Sequence, residues 1–207
     1  MKNGLRPNTL KQTSKPGSDT AKVLEGLKPE EALTVLRQLL DEHPELRPEA
    51  ERFAVEELCS SCIEDIAEDV CHRVTRIDLD NLNQRAGAHS WGYVEPSEAA
   101  IELLEECLED LTEDMKRKVE VGCLAAGETI CAGIVAGLYQ CREKRSDGAL
   151  GWAPDFPAEH AFFAVEEFLG SVPKAERKAA EESLMEVVRE LAPEWDEDLK
   201  RALKSAI

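Results

Sequence analysis

The sequence predicts an all-α protein, and three observations carry that expectation. Three segments open alike: Pro29-Glu30-Glu31-Ala32, Pro96-Ser97-Glu98-Ala99 and Pro157-Ala158-Glu159-His160 each place a proline, a glutamate two residues later and an apolar stripe beyond. Proline suits a first helical turn because its missing N–H would find no intrahelical partner there, and the carboxylate faces the positive end of the helix dipole. Apolar residues recur at three- and four-residue intervals, the signature of an amphipathic helix. Only 5% of the 207 residues are aromatic, while Ala, Leu, Glu and Val fill the interior segments. Those side chains lose little freedom in a helix. The expected architecture is about seven helices, in three antiparallel pairs plus a terminal helix, stacked as a superhelix or an irregular bundle.

The first helix is expected over 29–42, with Ala32, Leu33, Val35, Leu36, Leu39 and Leu40 as its apolar face. His43-Pro44 ends it, because proline disfavours a helical residue before it. Pro48 then opens a long second helix to about Arg76, with Leu58, Cys59, Cys62, Ile63, Ile66, Ala67, Val70, Cys71 and Val74 in its stripe. Residues 78–95 interrupt the pattern, with a short helical turn expected near Leu79–Gln84. From Pro96 the stripe continues to about Glu143, with a break expected near Asp110–Glu113. That place lies 67 positions after the break of the first unit. The same offset aligns Cys59, Ile63, Ala67 and Cys71 with Ala126, Ile130, Ile134 and Leu138. Helices starting near Pro157, Pro173 and Pro193 complete the chain.

In layout these units resemble HEAT-like or TPR-like α-α repeats, although the TPR spacing of Trp, Gly, Tyr and Pro is absent and the unit lengths are irregular. The resemblance implies binding rather than chemistry and assigns no residue a role.

Charge divides the chain. The formal net charge is −18, yet in the first 25 residues Lys2, Arg6, Lys11, Lys15 and Lys22 outnumber Asp19 and Glu25. Residues 1–26 are rich in Asn, Ser, Thr, Gly and Pro, and are expected to form a disordered basic tail. Residues 27–207 are expected to form a single acidic helical domain. An acidic surface repels phosphate backbones, so nucleic-acid binding is not expected, and a basic protein segment is the favoured partner. No apolar run suited to a secretory signal follows the basic start. Seven cysteines without such a signal point to free thiols and a cytoplasmic location.

Few motifs carry chemistry. Cys59-Ser60-Ser61-Cys62 has thioredoxin-like spacing, but the expected helix places it far from a helix start, and both thiols fall on the apolar stripe. It resembles the helical dithiol of AhpD-like peroxidases, except that Ile66 stands where that family has histidine. Zinc shared by Cys59, Cys62, Cys71 and His72 would need ligands spread over about 18 Å of one helix to converge. Asp78-Leu79-Asp80-Asn81-Leu82-Asn83 lacks the glycine and the fifth-position oxygen of a calcium loop, and reads as turn and capping groups. Val121–Cys141 nearly qualifies as a membrane span by length, but Glu128 lies inside it, and a central core helix with close neighbours at Gly133 and Gly137 is expected.

The expected binding residues are the connector side chains Trp91, Tyr93, Trp152, Asp155 and Phe156, which share one edge in a stacked-pair fold. The sequence points to no cofactor, no metal and no membrane association. The expected function is non-catalytic protein–protein interaction, with homodimerisation through the Leu203/Ala206/Ile207 face as a related possibility. The alternative is a thiol-dependent redox enzyme using Cys59 and Cys62.

Overall fold

The computed structural model describes residues 22–90, 92–144 and 148–206. It is all-α apart from a two-stranded hairpin. The elements are α1 (Pro29–Glu42), α2 (Arg47–Leu58), α3 (Ile63–Arg76), α4 (Leu79–Arg85), β1 (Gly87–His89), β2 (Gly92–Val94), α5 (Pro96–Glu106), α6 (Glu109–Glu120), α7 (Leu124–Cys141), α8 (Ala149–Trp152), α9 (Phe156–Ser171), α10 (Arg177–Leu191) and α11 (Asp196–Ala206). By its contacts the chain falls into two units, 1–53 and 54–207, with the boundary inside α2. Most of the sequence expected as a disordered tail, residues 1–21, lies outside the described residues.

In the first unit, α1 begins at Pro29 as its opening demands, and Glu31 Oε2 accepts the Lys28 backbone N–H at 2.9 Å. The apolar face expected to pack inward is exposed instead: Leu33, Val35, Leu36 and Leu39 lie on the surface, and α1 contributes no buried residue. An apolar side chain that stays in water adds little to folding. Leu36→Ala is therefore expected to change the unfolding free energy by less than about 0.5 kcal/mol. Leu138→Ala, at a fully buried position of α7, is expected to cost about 2–5 kcal/mol. Urea denaturation of the two variants checks this contrast.

The second unit is built around α7. Helices α3, α6, α9 and α10 all pack on it, and Ile130, Ile134, Val135 and Leu138 are fully or almost fully buried. Of its 18 residues 67% are buried, so the one described helix long and apolar enough to cross a membrane is the centre of this core. The small residues of α7 admit α3 at backbone distance. A Cβ on Gly133 would lie 2.6 Å from Ile66 Cβ, and one on Gly137 would lie 2.6 Å from the Ala67 carbonyl oxygen. Contacts that advance together along both helices mean that α3 and α7 run parallel.

Three helix breaks differ from the expected pattern. The single helix expected over 48–76 is divided at Cys59–Cys62, where Cys62 becomes the N-cap of α3 and its Sγ accepts the Asp65 N–H at 3.4 Å. Serines at 60 and 61 favour such a boundary because their hydroxyls compete for backbone groups, and Glu64 and Asp65 suit the new first turn. The break expected at Asp110–Glu113 falls at Cys107–Leu108. Arg73 on α3 stabilises that joint, donating to the Cys107 carbonyl at 3.1 Å and to Asp110 Oδ1 at 2.6 Å. A further break, unforeseen, separates α6 from α7 at Gly122, whose φ of +85° only glycine adopts cheaply. There the Cys123 N–H reaches the Lys118 carbonyl and the Gly122 N–H reaches that of Val119, both at 2.9 Å, which is a Schellman closure.

The 78–95 interruption contains the short expected helix, and Asp78 and Asn81 cap it reciprocally, as capping groups rather than calcium ligands. The hairpin that follows pairs Gly87 with Val94 and His89 with Gly92.

Candidate binding surface

The expected site residues differ in burial. Trp91 lies outside the described residues. Tyr93, on β2, is 63% exposed, and Trp152, closing α8, is 49% exposed. Asp155 is the N-cap residue of α9. Phe156 is buried in the core and stacks on His160, with ring centroids 4.8 Å apart. Leu203, placed at an expected dimer face, is buried in the chain's own core, and the Ala206 side chain and Ile207 lie outside the description. Glu128 projects from α7 to accept a hydrogen bond from Ser183 Oγ at 2.7 Å.

Two adjoining clefts along α9 form a concave surface among the described residues. The first, about 500 Å³, lies between α9 and α11 and is lined by Ala158, Glu159, Phe162, Phe163, Trp195, Asp198 and Leu199. Trp195 is fixed from behind by Tyr139, edge to face at 5.1 Å, and Arg142 sits over the Tyr139 ring. The second, about 520 Å³, runs between α9 and the α5–α6 segment. Its walls carry Glu102, Glu105, Glu106, Glu109, Glu113 and Glu167, with Thr112, Lys116 and His160.

Phe163 lines both clefts and is 51% exposed. The adjacent Phe162 is half-buried against the core and lines only the first cleft.

The groove's charge is partly balanced. Arg85 donates to Glu106 at 2.6 Å and lies 3.4 Å from Glu102, and Lys116 pairs with Glu167 across the groove. Among the described residues Glu105, Glu109 and Glu113 have no ion-pair partner, and their four-residue spacing carries them as a row from α5 into α6. His160 is different in kind. Burial pushes its pKa down to about 4, so it lines the groove as a neutral ring at neutral pH.

The cysteines separate by exposure. Cys59 and Cys62 are exposed; Cys71, Cys131 and Cys141 are buried, with Cys107 and Cys123 between. This corrects the placing of the Cys59–Cys62 pair on a buried stripe: it lies in a turn, with Cys62 at a helix N-terminus. The Asp65 backbone N–H favours the Cys62 thiolate, but the Asp65 and Glu64 carboxyls and desolvation outweigh it and hold the thiol above its ordinary value. Burial raises the thiols of Cys107 and Cys131, the former to about 11. No group of three or more His, Cys, Asp or Glu side chains among the described residues is arranged to hold a metal ion.

Comparison with family models, with curated proteins and with solved structures finds no match for this chain.

Phe163, Trp195 and the glutamate row were not among the expected site residues, and only the glutamates left a spacing signal. The spacing of Glu102, Glu105, Glu106, Glu109 and Glu113 marks a charged stripe.

Proposed function

We propose that this protein is a non-catalytic interaction protein that binds a basic, amphipathic segment of another protein along α9. The observation that carries the proposal is Phe163, half-exposed between an apolar cleft and an acidic groove. An exposed aromatic beside a pocket is the usual form of an interface anchor. The unpaired carboxylates supply complementary charge that steers and orients a cationic partner. The exposed leucines of α1 favour the same class, since contiguous apolar surface marks interaction sites.

A helical peptide of leucines with lysines at four-residue spacing is the probe. The triple variant Glu105→Gln/Glu109→Gln/Glu113→Gln is expected to weaken its binding about tenfold and to flatten the dependence on salt. Phe163→Ala is expected to weaken it about tenfold with the salt dependence retained. As a control, Glu182→Gln/Glu186→Gln/Glu190→Gln on α10 removes the same charge at the same spacing and is expected to leave affinity nearly unchanged. Equal losses in the two triple variants would refute the site.

A second reading, thiol redox chemistry at Cys59 and Cys62, draws on their exposure and on the helix N-terminus at Cys62. The carboxyls beside Cys62 oppose it. Rapid, selective alkylation of Cys59 near neutral pH, read by mass spectrometry on the native protein, would favour it over the binding role. Slow, unselective labelling would remove it.

A further inference from the structure

We propose that Cys71 and Cys141 form an oxidative modification site, in which Cys71 is oxidised by a hydroperoxide and Cys141 resolves it as a disulfide joining α3 to α7.

The geometry begins with the close approach of the two helices. At Gly137 their backbones are in contact, since a Cβ there would meet the Ala67 carbonyl oxygen at 2.6 Å and Val70 Cβ at 2.7 Å. The helices are parallel, so one turn further along each brings Cys71 opposite Cys141. A disulfide between them requires Cα atoms about 4.4–6.8 Å apart. The two thiols are neighbours, and the Cys71 sulfur acts directly on Cys141.

The third member is Lys144, whose Nζ donates to Cys71 Sγ at 2.9 Å. That hydrogen bond joins the Cys71 sulfur to a surface cation. Cys141 differs: burial and then the neighbouring Cys71 sulfur push its thiol up to about 12, and its Sγ donates to the Leu138 carbonyl at 3.3 Å. The roles divide accordingly. Cys71 is only 5% exposed, but its partner Lys144 is on the surface, which places the route of approach on that side.

The chemistry balances with a hydroperoxide as oxidant. The Cys71 thiolate attacks the terminal peroxide oxygen and the O–O bond breaks. The departing alkoxide or hydroxide takes a proton, leaving Cys71 as a sulfenic acid. Cys141 then attacks the sulfenic sulfur, its thiol proton leaving with the sulfenic oxygen as water, and the S–S bond forms as the S–O bond breaks. The two sulfurs together give up two electrons to the peroxide. A small dithiol returns both cysteines to thiols by exchange and is itself oxidised to a disulfide.

Full-length protein is exposed to limiting hydrogen peroxide, alkylated, and mapped by mass spectrometry without reduction. A Cys71–Cys141 cross-linked peptide is expected. Lys144→Met, a surface change that leaves the core intact, is expected to slow its formation about tenfold, with partial recovery in Lys144→Arg. Cys141→Ser is expected to leave a Cys71 sulfenic acid that dimedone traps. Cys71 remaining reduced while Cys59 and Cys62 oxidise would overturn the proposal. So would an unchanged rate in Lys144→Met, a comparison that stands even if Cys141→Ser fails to fold. A covalent Cys71–Lys144 link in place of the disulfide would refute the resolving role of Cys141.

Discussion

Gly137→Val is expected to lower the unfolding free energy by about 3 kcal/mol or more, the upper end of what overpacking costs in a well-packed core. The reason lies in which atoms a side chain would meet. At Gly137 the first obstacle is the carbonyl oxygen of Ala67, a backbone atom that cannot turn aside, followed by Val70 Cβ and Cγ1 at 2.7 and 2.9 Å. The whole of α3 would have to move away from α7, and Val70, Val74 and Leu138 would lose contacts in the most buried part of the molecule. Trimming the neighbour relieves only part of the clash. Val70→Ala in the same chain is therefore expected to recover a minority of the loss, because the Ala67 carbonyl remains. Denaturant unfolding of the single and double variants measures both effects. A Gly137→Val protein as stable as the parent would mean that α3 and α7 are not in backbone contact.

The second large effect follows pH. An unfolded histidine takes up its proton near 6.5, whereas burial holds the His160 imidazole neutral until about 4. Between those values the unfolded chain binds more protons than the folded one, so stability rises with pH across that window. Acidification through it is expected to cost up to roughly 3 kcal/mol. That figure is an upper bound because Glu102, Glu105, Glu106, Glu109, Glu113 and Glu167 line the same groove, and carboxylates favour the imidazolium. His160→Phe preserves a ring to stack on Phe156 and removes the titration. Its unfolding free energy is expected to stay nearly flat where the parent's falls. Asp196, held below the ordinary carboxylate range by Lys200, loses its contribution only at lower pH, outside this window.

How far the sequence could be read depended on which atoms set each feature. The openings at Pro29, Pro96 and Pro157 were legible because proline, carboxylate and dipole act within one turn, and helices begin at Pro29, Pro96 and Phe156. The joint at Cys107–Leu108 was displaced from its expected place because a distant residue, Arg73, caps it through the Cys107 carbonyl. The breaks at Cys62 and Gly122 did carry local signals, a serine pair before acidic residues and a glycine after a helical turn. Continuous apolar periodicity masked them.

The candidate surface was the least legible part. Of the connector aromatics, Phe156 is taken by the core, whereas Phe163, within a helix, lies half-exposed beside both clefts. The glutamates of α5 and α6 line a groove only because α9 supplies the opposite wall.

Hydrogen exchange with and without the lysine–leucine peptide tests the central claim most directly, because it locates the bound segment. The account predicts added protection confined to the cleft walls: residues 102–116 of α5 and α6, 158–167 of α9 and 195–199 at the start of α11. Protection centred on residues 182–190 of α10, or spread evenly over every acidic helix, would contradict it.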